Sequence, residues 1–145
     1  MIAITKKTEY GLIAMTHLAK QDGQKLISAR ELAEATGVPT AVLMNVLKEL
    51  AAKGYVKSGR GAHGGYRIGC DVRRVTMADL IVALEGPIRL TECQGGHQSP
   101  GAGVCGLVDR CPIADPVHRI QRKLSDFFRN LTLAEMAEPA PAGTK

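Results

Sequence analysis

The stretch that decides the fold is "SARELAEATGVPTAVLMNVLKELAAKGYVKSGRGAHGGYRIG", residues 28–69. Ser28 precedes "ARELAEAT" as a helix N-cap, and Glu31, three residues on, completes a capping box. Gly37 supplies the stop signal of that helix. Pro39 opens a second helix, "PTAVLMNVLKELAAKG", with Val42, Leu43, Val46, Leu47 and Leu50 as its buried stripe. Two short helices across a Gly-containing turn make a helix-turn-helix. Residues 54–69 alternate in and out around a Gly-rich tip, which predicts a β-hairpin, the wing. The expected fold class is mainly α with a small β wing: a winged helix-turn-helix DNA-binding domain.

Working outward, "TKKTEYGLIAMTHLAK" (5–20) spaces Leu12, Ile13, Met15 and Leu18 as an amphipathic helix, and a polar turn at 21–25 follows it. "TMADLIVALEG" (76–86) reads as a short helix stopped by Gly86. Residues 91–111 lack a regular pattern. Asp115 and Pro116 cap a last helix running to about Asn130. Its Val117, Ile120, Leu124, Phe127 and Leu131 recur at 3-4-3-4 spacing, which suits a two-helix dimer contact or packing back onto the same chain. The division expected is a DNA-binding domain at 1–75, a cysteine loop with a long C-terminal dimerisation helix at 76–135, and a Pro/Ala-rich disordered tail at 136–145.

Of the 145 residues, 45% are apolar but only 3% aromatic, with no Trp, so the core must be aliphatic. Residues 1–75 carry 12 Lys/Arg against 6 Asp/Glu, whereas residues 76–145 carry 7 against 8. A basic half beside a near-neutral half fits a nucleic-acid-facing module on a separate scaffold. "MIAITKKTEYGL" has no apolar run behind its charges, and no stretch is long enough for a membrane span, so the expectation is a cytoplasmic protein that meets no membrane. Four cysteines in that compartment are reduced thiols or metal ligands rather than disulfides.

In a helix-turn-helix the second helix enters the major groove and its first residues reach the base edges. Here Thr40, Ala41, Met44 and Asn45 occupy that place. Thr40 suits phosphate or base, Asn45 can pair bidentately with adenine, and Met44 and Ala41 offer only apolar contact, as to a thymine methyl. The wing adds Lys57, Arg60 and His63, with Arg60 the candidate for minor-groove insertion. Ser28, at the head of the first helix of the motif, joins this set.

Three cysteines, Cys93, Cys105 and Cys111, lie in "TECQGGHQSPGAGVCGLVDRCP". Thiols gathered on a Gly-rich loop suit a soft metal or an iron–sulfur cluster, 2Fe-2S or 4Fe-4S, which takes about four protein ligands. The gap of five residues between Cys105 and Cys111 does not match a zinc knuckle. The fourth ligand must come from elsewhere: His97, His118, or an acidic residue of another element or subunit. Cys70, at the end of the wing, reads as a small core residue.

These motifs together resemble the IscR/NsrR family of dimeric winged-helix regulators. The resemblance runs from about Ile4 to Met136 on "ITKKTEYGL", "LAEATGV", "GRGAHGGYRI", "ALEGP", the cysteine loop and "LTLAEM". It implies a homodimer crossing through the C-terminal helix, a palindromic operator in double-stranded DNA, and an iron–sulfur cluster near the dimer contact. Two departures stand out. The family's usual spacing is Cys-x5-Cys-x5-Cys, but eleven residues separate Cys93 from Cys105. The iron–sulfur-assembly repressor places a His three residues after the last Cys, where this chain has Ala114. The nitric-oxide-sensing branch takes a carboxylate from the partner's first helix, a position matched by Glu9 in "KKTEY". Glu9 equally suits a surface acid favoured by the helix dipole. The long first gap and the "LTEC" lead-in also resemble regulators of the Suf iron–sulfur assembly operon.

The function expected is therefore a cluster-dependent transcriptional regulator, a repressor, sensing nitric oxide, redox stress or iron–sulfur supply, with Cys93, Cys105, Cys111 and Glu9 in trans as ligands. The alternative is a cluster-free winged-helix regulator whose thiols oxidise directly. An electron-transfer protein would not need a groove-reading helix. An enzyme is not expected, because no nucleophile–base pair, phosphate loop or paired carboxylates occur.

Overall fold

The computed structural model describes residues 4–91, 107 and 110–139. Ser28 forms the capping box that the sequence predicts: its Oγ accepts from the Glu31 amide at 3.1 Å while Glu31 Oε2 accepts from the Ser28 amide at 2.8 Å. The helix so started, α2 (Ala29–Thr36), follows α1 (Lys6–Ala19) and ends at Gly37, whose φ of 75° is the left-handed conformation that favours glycine. Helix α3 (Thr40–Ala52) begins one residue later than expected, with Pro39 as its extended N-cap. The wing follows: β1 (Val56–Gly59) pairs antiparallel with β2 (Gly65–Ile68), in the register Val56 to Ile68, Lys57 to Arg67, Ser58 to Tyr66 and Gly59 to Gly65. Then come α4 (Met77–Glu85), α5 (Ala114–Asn130) and α6 (Leu133–Ala137). The mainly helical winged-helix class is as expected.

One aliphatic core joins these elements. Met15 and Leu18 of α1, Leu32 of α2, Leu43, Leu47 and Leu50 of α3, Leu80 of α4 and Leu133 of α6 are all nearly or fully inaccessible. A fully buried Leu side chain contributes about 2 kcal/mol, so this cluster fixes how α3 sits on α1. The wing is tied down separately. Ile27 exchanges both backbone hydrogen bonds with Tyr66, at 2.8 and 3.0 Å, extending the hairpin by one bridge. A Cβ at Gly65 would stand 2.4 Å from the Ile27 carbonyl oxygen, so the close approach of chain 27–28 to β2 requires glycine there.

Three readings change. Val42 does not join the buried stripe of α3; it is 40% exposed, because the helix packs through Leu43, Val46, Leu47 and Leu50 alone. Helix α5 starts at Ala114 with Ile113 as an N-cap that makes no side-chain bond, ahead of the expected Asp115–Pro116. The chain after 135 continues as helix to Ala137, because Thr132 caps α6 and the amides of Leu133 and Ala134 bond the carbonyls of Val75 and Val72, each at 2.8 Å. Residues 140–145 lie outside the described residues. Among the described residues no helix is long and apolar enough to cross a membrane.

Polar contacts gather where α4 ends. The Ala83 carbonyl accepts from Lys53 Nζ, the Leu84 carbonyl from Lys7 Nζ at 2.7 Å, and the Glu85 carboxylate from the hydroxyls of Thr5 and Thr8. Glu49 of α3 lies between the two lysines, 2.8 Å from Lys7 and 3.8 Å from Lys53. Cations at a helix C-terminus complement its dipole, so α1 and α3 jointly hold the end of the helix that leads toward the cysteines. Further on, Gln121 of α5 accepts from the Leu90 amide and donates to the Ile88 carbonyl, fixing the outgoing chain on α5.

Candidate nucleic-acid interface and cysteine site

Packing one side of α3 into the core leaves the other side facing out. Thr40, Ala41, Met44 and Asn45 are all exposed on it, at the start of the helix where base edges are reached. Lys48, one turn beyond Met44, is exposed on the same side; its spacing of four from Met44 is the signal that would have added it to the expected set.

On the wing, Lys57, Arg60 and His63 are exposed, with Arg60 and His63 in the turn between strands, where Gly61 has a φ of 109°. The structure adds Arg67, which lies directly across from Lys57 and donates from Nη1 to the Gly23 carbonyl at 3.1 Å. Two cations opposite each other on a hairpin repel, and an anion such as a DNA phosphate relieves that repulsion. The sequence shows Arg67; what it does not show is the register that pairs it with Lys57. Ser28 sits at the base of the wing, half-buried, its Oγ lone pair committed to the α2 cap.

The cysteine site is only partly within the described residues. Cys93, Cys105 and His97 lie outside them. Cys111 is a free, half-buried thiol three residues before α5, its carbonyl accepting from the Ala114 amide at 3.3 Å. His118 is exposed on the first part of α5, and Glu9 stands in the first turn of α1. Glu9 Oε2 is 2.7 Å from Lys6 Nζ, and this carboxylate raises the Lys6 ammonium above its usual value by hydrogen bonding and charge. Among the described residues no three His, Cys, Asp or Glu side chains gather closely enough to hold a metal. The donor chemistry fits an iron–sulfur cluster in kind, since Cys111 is unbridged and sits where the cysteine segment joins a helix. Cys70 packs against the core at the end of β2, and burial pushes its thiol up, which keeps it a neutral filler.

The chain is 29% identical over 133 residues to the HTH-type transcriptional regulator IscR of Vibrio campbellii, covering 92% of this chain and 76% of that one. Among solved structures, that of CymR (YrzC), the global cysteine regulator of B. subtilis, superposes with a TM-score of 0.72 at 28% identity, over 94% of this chain and 97% of the other. T. potens IscR superposes with a TM-score of 0.71 at 25% identity, over 99% and 94%. These relatives are named regulators, not enzymes. Residues 4–139 match the profile of the Rrf2 family, described as iron-dependent transcriptional regulators, and the chain belongs to that family.

Proposed function

We propose that this transcriptional regulator is a homodimer whose DNA binding is set by an iron–sulfur cluster held on Cys93, Cys105 and Cys111, with Glu9 of the partner subunit as fourth ligand. The observation that carries the reading is the position of Cys111: an unbridged thiol at the junction between the cysteine segment and α5, a helix on which Ile120 and Phe127 stand exposed. The family's description as iron-dependent supports it, as does the likeness to two proteins named IscR. Bound there, the cluster would supply a centre that reacts with oxidants and nitric oxide and that depends on iron–sulfur supply. The chain's own residues do the rest. α3 presents Thr40, Ala41, Met44 and Asn45 to the major groove of a palindromic operator, and Lys57, Arg60 and His63 of the wing meet the backbone or minor groove. Ser28, its lone pair in the cap, can still donate its hydroxyl hydrogen to a phosphate. Repression is the expected outcome of operator occupancy.

A second reading, a cluster-free regulator working through thiol oxidation, is favoured by the likeness to a protein named as a cysteine regulator. Anaerobic purification with iron and sulfide assay and a visible spectrum, on wild type and Cys111→Ala, decides between them. Stoichiometric iron and sulfide that disappear in the variant support the cluster. A colourless, iron-free wild type that still binds DNA after attempted reconstitution overturns it in favour of the thiol reading.

A further inference from the structure

The outward side of α3 carries two large apolar side chains beside the polar Thr40, Asn45 and Lys48. Val42 and Met44 are 40% and 39% exposed. At about 100° per residue, Ala41 and Asn45 occupy the middle of the outward surface, Met44 one flank and Val42 the other. The buried Leu43, Val46, Leu47 and Leu50 take the opposite side. The remaining large apolar side chains that stand exposed among the described residues lie elsewhere: Ile4 ahead of α1, Val82 on α4, and Leu107, Ile113, Ile120 and Phe127 on or before α5. Val42 and Met44 are thus separate from the surface that α5 offers.

Charge decides what these side chains meet. Lys48 lies one turn beyond Met44, and Lys57, Arg60 and Arg67 stand on the wing that follows α3. Cations so placed repel a second copy of this basic module and attract a polyanion. Within duplex DNA, the apolar group offered in the major groove is the C5-methyl of thymine. From this arrangement we infer that Val42, on the flank opposite Met44, is a specificity-determining residue that reads thymine methyl groups in the operator, while Asn45 supplies a polar base contact. The inference deepens the proposed function and rests on α3 being the reading helix.

The test alters the DNA rather than the protein, so folding is not at stake. A duplex is selected from a randomised library by the full-length, anaerobically purified protein, and each thymine is replaced in turn by 2′-deoxyuridine, which lacks only the methyl. Binding is followed by fluorescence anisotropy at fixed salt, because phosphate contacts vary steeply with it. The expected result is a loss of about fourfold at one or two thymines per half-site, the value of one buried methyl-sized group, and no such loss with Val42→Ala. Equal affinity for thymine and uracil at every position overturns the inference, as does a Val42→Ala protein that loses the same factor as wild type. Asn45→Ala separates the two levels of the argument. If it weakens binding while the uracil duplexes bind normally, methyl reading alone falls. If it too leaves affinity unchanged, α3 is not the reader and both readings fall.

Discussion

Glu9 shows how one side chain can serve two masters. Its carboxylate is 45% exposed and paired with Lys6, which is 75% exposed. A pair so open to water contributes little, because solvent screens it, so it holds Glu9 near the α1 surface without committing it. A ligand bond to iron from across a dimer contact would readily displace Lys6. Replacing Glu9 with Ala is therefore expected to leave the fold and the iron content of fresh anaerobic protein intact while shortening the life of the cluster in air. The rate at which visible absorption bleaches reads this directly. An unchanged rate moves the fourth ligand to His97 or His118, both of which carry imidazole nitrogens suited to the same place.

At the scale of elements, the helices of this chain are set largely by their first residues. Ser28, Thr76 and Thr132 each start a helix by accepting from the amide three residues on, and Glu31, Asp79 and Glu135 return the bond. The side-chain and backbone hydrogen bonds from Ser28 hold the Glu31 carboxyl below the usual carboxylate range, and those from Thr132, the backbone bond foremost, do the same to Glu135. A folded-state value below the unfolded one adds stability that is present above about pH 4.3, the ordinary glutamate value, and is lost as pH falls through the folded value. Glutamine keeps the box but cannot titrate. The urea midpoint of wild type is thus expected to fall more steeply below that pH than that of a Glu31→Gln, Glu135→Gln double variant. Parallel curves would remove the boxes from the acid response. These local signals are why α1, α2, α3, the wing and α4 could be read from sequence: each announces itself within a few residues. What could not be read depends on packing partners distant in sequence. Val42 repeats the apolar pattern of its neighbours but stays 40% exposed, and α6 is only five residues long, made stable by Val72 and Val75 some sixty residues earlier. The candidate DNA contacts were legible because exposure on α3 follows from its period; Arg67 was not, because strand register is set by the turn.

For the whole molecule, α5 poses the question of what covers it. None of its residues is buried, although Val117, Leu124 and Phe128 lie half-covered against the rest of the chain. Phe127 turns outward at 62% exposure, edge-on to Phe128 with ring centroids 5.7 Å apart, and Ile120 and Ile113 continue the same uncovered strip at 54% and 58%. The seam expected from sequence divides: one edge packs back through Leu124, and the other stays uncovered in the single chain. A regulator reading a palindrome needs two copies of α3 at a fixed separation, and a rigid helix outside the core is a means of setting it. Charging that strip tests the idea without touching the protomer, since both positions already face water. Ile120→Glu combined with Phe127→Glu is expected to keep the helical circular dichroism and to halve the molecular mass seen by sedimentation, to the 15.5 kDa of one chain. Operator affinity should then fall roughly a hundredfold or more, because the second half-site no longer binds as an intramolecular step. A variant that remains dimeric would place the subunit contact off this strip, and a monomer that binds the operator as tightly as wild type would show that one winged helix suffices.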